Sequence, residues 1–154
     1  MATSGTSAFD LNIDDIIEEA YERCGIRTNS GRDLRSARRS LNLLFSEWGN
    51  RGVHIWKVSL NEVAPDAATY TTLKFYTVDR IQDAGIYTNQ ADVVYRFLPC
   101  MCSGLAYFLS MKKAPDKIQT LRLVYEDELQ RALTEDGQRT SVYISPQTYF
   151  GDGV

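Results

Sequence analysis

The sequence predicts a mainly α protein: a bundle of about four helices with a small β portion, either a hairpin or a reduced β domain, and an extended C-terminal tail. Three observations carry this. Four segments repeat their apolar residues at the i, i+3, i+4, i+7 spacing of one helix face. Only between about 53 and 82 do β-branched and aromatic residues alternate or cluster. From 139 onward no helical period remains. The 154 residues are enough for one core, and 44% hydrophobic with 24% charged residues is the composition of an ordinary globular chain. The expected organisation is a helical domain over 1–138 with the strands inserted, followed by a tail over 139–154.

The first helix is predicted in "NIDDIIEEAYERCG", where Ile13, Ile16, Ile17, Ala20, Tyr21 and Cys24 share a face. Asn12 can cap it, Asp14 and Asp15 suit its positive end, and Gly25 suits the exit. After the polar turn "TNSG", "RDLRSARRSLNLLFSEWGNRG" predicts a second helix with Leu34, Ala37, Leu41, Leu44, Phe45 and Trp48 inward, stopping at the glycines. "VHIWKVSLNEV" and "ATYTTLKFYTVDRI" predict two short strands joined by the turn "APDAA". His54, beside Trp56, has no second histidine or nearby nucleophile and is expected to be structural.

The most apolar run, "YRFLPCMCSGLAYFLSMKKAP", predicts a third helix with Phe97, Cys100 or Met101, Gly104 or Leu105, Phe108 and Met111 recurring at helical spacing. Pro99 either lies in its first turn or kinks it. Cys102, Ser103, Gly104 and Ala106 keep one side narrow, so another helix can approach closely and this helix should be central. Pro115 ends it and opens a fourth, in which Ile118, Leu121, Tyr125, Leu129 and Leu133 point inward and which stops near Gly137. The tail is unusual for a terminus, because it holds Val142, Tyr143, Ile144, Tyr149 and Phe150, with Pro146 favouring an extended course. It reads either as a strap that docks on a partner or as a strand folding back on its own domain.

Several function classes lose ground on composition. The apolar run between Arg96 and Lys112 is shorter than the roughly 20 residues a membrane helix needs, and Pro99, Ser103 and Gly104 interrupt it. The polar start "MATSGTSAFDLN" has no charged leader with an apolar stretch, so an intracellular product is expected. Three cysteines and one histidine, badly spaced, do not make a four-ligand zinc site, and Cys24, Cys100 and Cys102 read as small buried side chains. No cofactor is expected. No GxSxG, phosphate-binding glycine loop or HExxH is present, and the consecutive Glu126, Asp127 and Glu128 must fan out around their helix, so catalysis is not expected.

Charge is distributed unevenly although the net value is only −3. The first helix carries Asp14, Asp15, Glu18, Glu19 and Glu22 against Arg23, while the second carries Arg32, Arg35, Arg38, Arg39 and Arg51 against Asp33 and Glu47. One reading is two solvated faces with weak pairs. The other is an acidic face, Asp15, Glu18 and Glu22, meeting the basic face, Arg32, Arg35, Arg38 and Arg39, of the next copy in a ring.

"SLNLLFSEWGNRGVHIW", "RIQDAGIYTNQADVVYRFLPCMCSGLAYFLSMKKAP" and the amphipathic "LRLVYEDELQRAL" helix together resemble the head-to-tail adaptors of short-tailed bacteriophages, also called tail tubular protein A or tail accessory factor. The resemblance spans most of the chain. It implies a helical bundle assembled as a ring, twelve copies in the family, in the virion neck beneath the portal protein. Such a ring extends the channel through which viral DNA passes, without reading its sequence, and presents a surface to the tail nozzle or tail tubular protein. It also implies that the C-terminal segment, Val142, Tyr143, Ile144, Pro146, Tyr149 and Phe150, reaches along the portal. Related sequences carry a longer strand-rich segment where Tyr70-Thr71 here runs almost directly into Thr72-Leu73, which makes the tail-facing surface the least defined part. The runner-up reading is a DNA-binding packaging or regulatory protein gripping phosphates with the arginines of the second helix.

Overall fold

The computed structural model describes residues 9–27, 30–53, 57–63 and 73–136. Among the described residues there are four α-helices and one two-stranded antiparallel sheet: α1 (Ile13–Cys24), α2 (Gly31–Asn50), β1 (Val58–Val63), β2 (Leu73–Val78), α3 (Leu98–Lys113) and α4 (Ile118–Asp136). The mainly α expectation with a small β hairpin therefore holds. The tail, His54, Trp56 and the "APDAA" turn lie outside the described residues.

α1 buries the six residues its period marks, and α2 buries Ala37, Ser40, Leu41, Leu44, Phe45 and Trp48, with Leu34 half-buried at the margin. Both end alike. Gly25 and Gly52 take positive φ (71° and 76°), so the next N–H turns back: Ile26 donates to Tyr21 O at 3.0 Å and Val53 to Trp48 O at 2.9 Å. A side chain at either glycine would strain that left-handed turn, which is why these helices stop where they do.

α3 is the hub. It touches α1, α2 and α4, and an unbroken run from Cys100 to Ala106 is buried, along with Phe97, Leu98, Leu109 and Ser110. A helix with helices on several sides needs no polar face, so its pattern is less periodic than that of an amphipathic helix. Two sequence expectations differ in detail for this reason: Phe108 is only half-buried and Met111 is exposed, while Leu98 and Leu109 take the interior. Pro99 lies in the first turn, after a 3-10 turn over Tyr95–Phe97, and introduces no kink. At Gly104 side chains of both α2 and α4 lie against α3: a Cβ there would stand 2.9 Å from the Tyr125 ring and 3.0 Å from the Leu44 methyls. Pro115 opens a 3-10 turn, Pro115–Lys117, that leads into α4. Leu121, Tyr125, Leu129 and Ala132 of α4 face the core.

Inside, the Trp48 indole N–H donates to the Tyr125 hydroxyl at 3.0 Å, which joins α2 to α4 through a buried polar contact. Arg51 grips the Glu126 carboxylate with two 2.8 Å bonds and lies over the Tyr125 ring, closing the same seam at the surface.

The hairpin projects from this body. It leaves at Val53 and returns at Ile81, both buried, yet none of the strand residues whose burial is described belongs to the core cluster. The register Val58↔Val78 and Leu60↔Tyr76 puts four apolar side chains on one exposed face.

Candidate functional site

Internal ion pairs determine which charges remain outward. Arg23 pairs with Glu19 and Glu128, Arg51 with Glu47 and Glu126, Lys113 with Asp33, and Lys57 with Asp92. Lys117 donates to the Cys24 carbonyl at the C-terminal end of α1, where a cation meets the negative end of the dipole. As the fan-out argument requires, the consecutive acids of α4 go to different partners: Glu126 to Arg51, Asp127 to Arg131 and Glu128 to Arg23.

None of the ion pairs among the described residues uses Glu18, Glu22, Arg32, Arg35 or Arg39, and all five side chains are exposed. Asp15 is exposed too and accepts from the Asn12 N–H at 3.1 Å, a cap within α1. Arg38 is placed differently from its neighbours. Half-buried, it donates to Ala84 O at 3.1 Å and covers the Tyr87 ring, so its guanidinium is committed within the chain.

The loop over 79–94 that receives Arg38 also locks α1 against α2. Tyr87 and Asn89 carbonyls accept from the Asp14 and Ile13 N–H groups, two of the unpaired donors at the start of a helix, and Asn42 accepts from the Ala84 N–H at 2.7 Å. This tie fixes the acidic and basic faces relative to each other. Both helices lay their apolar faces on α3 and leave their charged side chains exposed, while Glu18 also lines a small hollow with Ser30 and Leu34 at the start of α2.

Beside the acidic face lies a groove of about 530 Å³. Asp15, Glu18, Glu19, Glu22 and Arg23 of α1 line it on one side, with Arg23 paired to Glu19, and Phe9, Leu11, Leu98, Pro99 and Cys102 supply its apolar lining. Phe9 is 64% exposed at the groove's edge. Sequence reasoning passed over this lining because the N-terminal stretch counted as polar. The signal was there in Phe9 and Leu11, two large apolar residues just ahead of a capped helix.

On the basic side, burial holds the Lys112 ammonium below its ordinary pKa and the charge of Arg39 pushes in the same direction. Lys112 is anchored by the Ser40 hydroxyl at 2.6 Å. The cysteines are all free and buried. Burial pushes the Cys100 thiol up to about 12 and Cys102 up to about 11, and Cys24 bonds to the Ala106 carbonyl at 3.2 Å. Among the described residues no cluster of three or more His, Cys, Asp or Glu stands close enough to hold a metal ion, and no helix is long and apolar enough to cross a membrane. Comparison with protein-family models, curated proteins and solved structures found no match to this chain.

Proposed function

We propose that this chain is a structural head-to-tail adaptor of a short-tailed bacteriophage neck. It docks as a ring, of about twelve copies by the family resemblance, beneath the portal protein, lengthens the DNA channel and offers the tail its attachment surface. One observation carries the reading: Glu18 and Glu22 of α1 and Arg32, Arg35 and Arg39 of α2 are opposite in sign, exposed, and outside the ion pairs described above. Exposed faces of opposite sign suit a contact between copies, and a heterologous contact closes into a ring where its rotation allows. The resemblance supplies the place of that ring in the particle. In this reading the segment over 139–154 straps onto the portal, and DNA passes without sequence-specific contacts.

Imaging tailless, portal-bearing capsids after incubation with the purified chain tests the proposal. A ring of added density at the portal vertex is the expected result, and bare portals at saturating protein would count against it. The exposed arginines Arg32, Arg35 and Arg39 favour one second reading, a phosphate-gripping helix on DNA. That reading requires duplex binding by the free chain that falls steeply with salt. The adaptor reading expects none at physiological salt, given a net charge of −3.

A further inference from the structure

The groove beside α1 and the outward stripe of α2 match in chemistry and in spacing. The groove is apolar at Phe9, Leu98 and Pro99, and its α1 side carries Glu18 and Glu22 beside Arg23, whose charge is already paired with Glu19 and Glu128. The stripe is basic at Arg35 and Arg39 and ends on Leu43, an apolar side chain 53% exposed on a helix whose other leucines are partly or fully buried. Leu43, Arg39 and Arg35 are successive positions four residues apart, so each lies about 6 Å along the helix from the next. Glu18 and Glu22 have the same one-turn spacing.

We propose that the groove is a socket for α2 of a second copy of this chain. The two helices run antiparallel, with Leu43 seated on the apolar lining near Phe9, Arg39 opposite Glu18 and Arg35 opposite Glu22. No residue of α2 lines the groove of its own molecule, and both helices are held on α3 by their apolar faces and tied together by the 79–94 loop. Exposed ion pairs add little affinity individually, so the seated leucine anchors the contact while the charges set register and salt dependence. The inference rests on the self-assembly proposed above and names its contact.

The full-length chain is followed by sedimentation velocity at low and high salt, up to millimolar concentration. It is compared with two charge-reversal variants, Glu18→Lys/Glu22→Lys and Arg35→Glu/Arg39→Glu, whose sites are all exposed and whose folding is checked by circular dichroism. The wild type should associate, more strongly at low salt. Each variant alone should stay monomeric, since its two faces carry the same sign, and an equimolar mixture should associate again in alternation. Leu43→Asp should weaken association by about tenfold or more with an unchanged melting temperature.

The socket is overturned by a wild type that stays monomeric throughout, by association indifferent to both reversals, or by a mixture that fails to assemble where the wild type does. The adaptor reading is judged separately on portal-bearing capsids. Reversal variants that still form the portal ring discard the socket and keep the adaptor, whereas a restored mixture that ignores the portal keeps the socket and discards the adaptor.

Discussion

At the scale of single residues the molecule is most sensitive along α3. Gly104 lies against the Tyr125 ring and the Leu44 methyls with no room for a Cβ, so Gly104→Leu must push α2 or α4 outward. Overpacking of this kind costs about 1–3 kcal/mol, which should appear as a lower midpoint in urea with a similar slope. Tyr125→Phe is gentler in volume but removes the acceptor of the buried Trp48 N–H, and an orphaned buried donor costs about 1–3 kcal/mol by the same measurement. The cysteines should behave as packing. With Cys100 and Cys102 held as neutral thiols far above pH 8, iodoacetamide should leave the folded chain unmodified at that pH and label three cysteines only after unfolding. Rapid labelling of the native chain, or a melting temperature that drops with chelator, would show these thiols doing something other than filling space. The close-packed small residues were legible in the sequence, because Cys102, Ser103, Gly104 and Ala106 fall together in one run. The Trp48–Tyr125 bond was not, since nothing local in the chain tells one apolar-face tyrosine from another until the helices are docked.

Helical elements announced themselves by period, and the agreement is closest where one face meets water. α1 alternates buried and exposed positions, so its inward residues followed from spacing alone; in α4 the spacing found Leu121, Tyr125 and Leu129 but not Ala132, and Ile118 and Leu133 are only half-buried. α3, surrounded by other helices, gave alternatives such as Cys100 or Met101, and the structure buries both. The loop over 79–94 carried no such signal. Its role is to supply backbone carbonyls to α1 and Arg38, and a carbonyl has no side-chain code. For the same reason Arg38 grouped with the outward arginines by sequence but is spent inside the chain. The Arg51–Glu126 pair joining α2 to α4 gives a pH dependence with a definite sign. The bonds from Arg51 hold the Glu126 carboxyl below its ordinary 4.5, so the stabilisation is complete above that value and lost as pH falls through the lower, folded-state pKa. Because the pair is partly exposed, the effect is under about 1 kcal/mol. Accordingly, Glu126→Gln should be slightly less stable than wild type at neutral pH and equal to it in strong acid. The hairpin should matter least to stability: Leu60→Thr with Tyr76→Thr, on its exposed face, should leave the melting temperature within error. A clear fall in melting temperature would mean that this face is covered in the folded chain.

For the molecule as a whole, the question is whether the last residues complete the fold or serve a partner. Among the described residues the core runs from Ile13 to Ala132, with Leu133 packed against it. Each helix finds its buried face on another helix, and the α2–α4 seam is sealed by Trp48, Tyr125 and Arg51. The apolar residues Val142, Tyr143, Ile144, Tyr149 and Phe150 lie outside the described residues, and by sequence they follow no helical period. Fully burying side chains of this size is worth about 1.5–3 kcal/mol each. Shared around a ring, that is enough to offset the entropy of ordering an extended segment against a partner. Deleting 140–154 should then leave a chain with unchanged helical circular dichroism and melting temperature that no longer joins portal-bearing capsids. If the truncated chain unfolds where the intact one is stable alone, the segment belongs to its own domain and the docking strap is wrong. If it folds and still forms the portal ring, attachment belongs to the helical surface instead, and the substitutions on α1 and α2 become the ones that must abolish it.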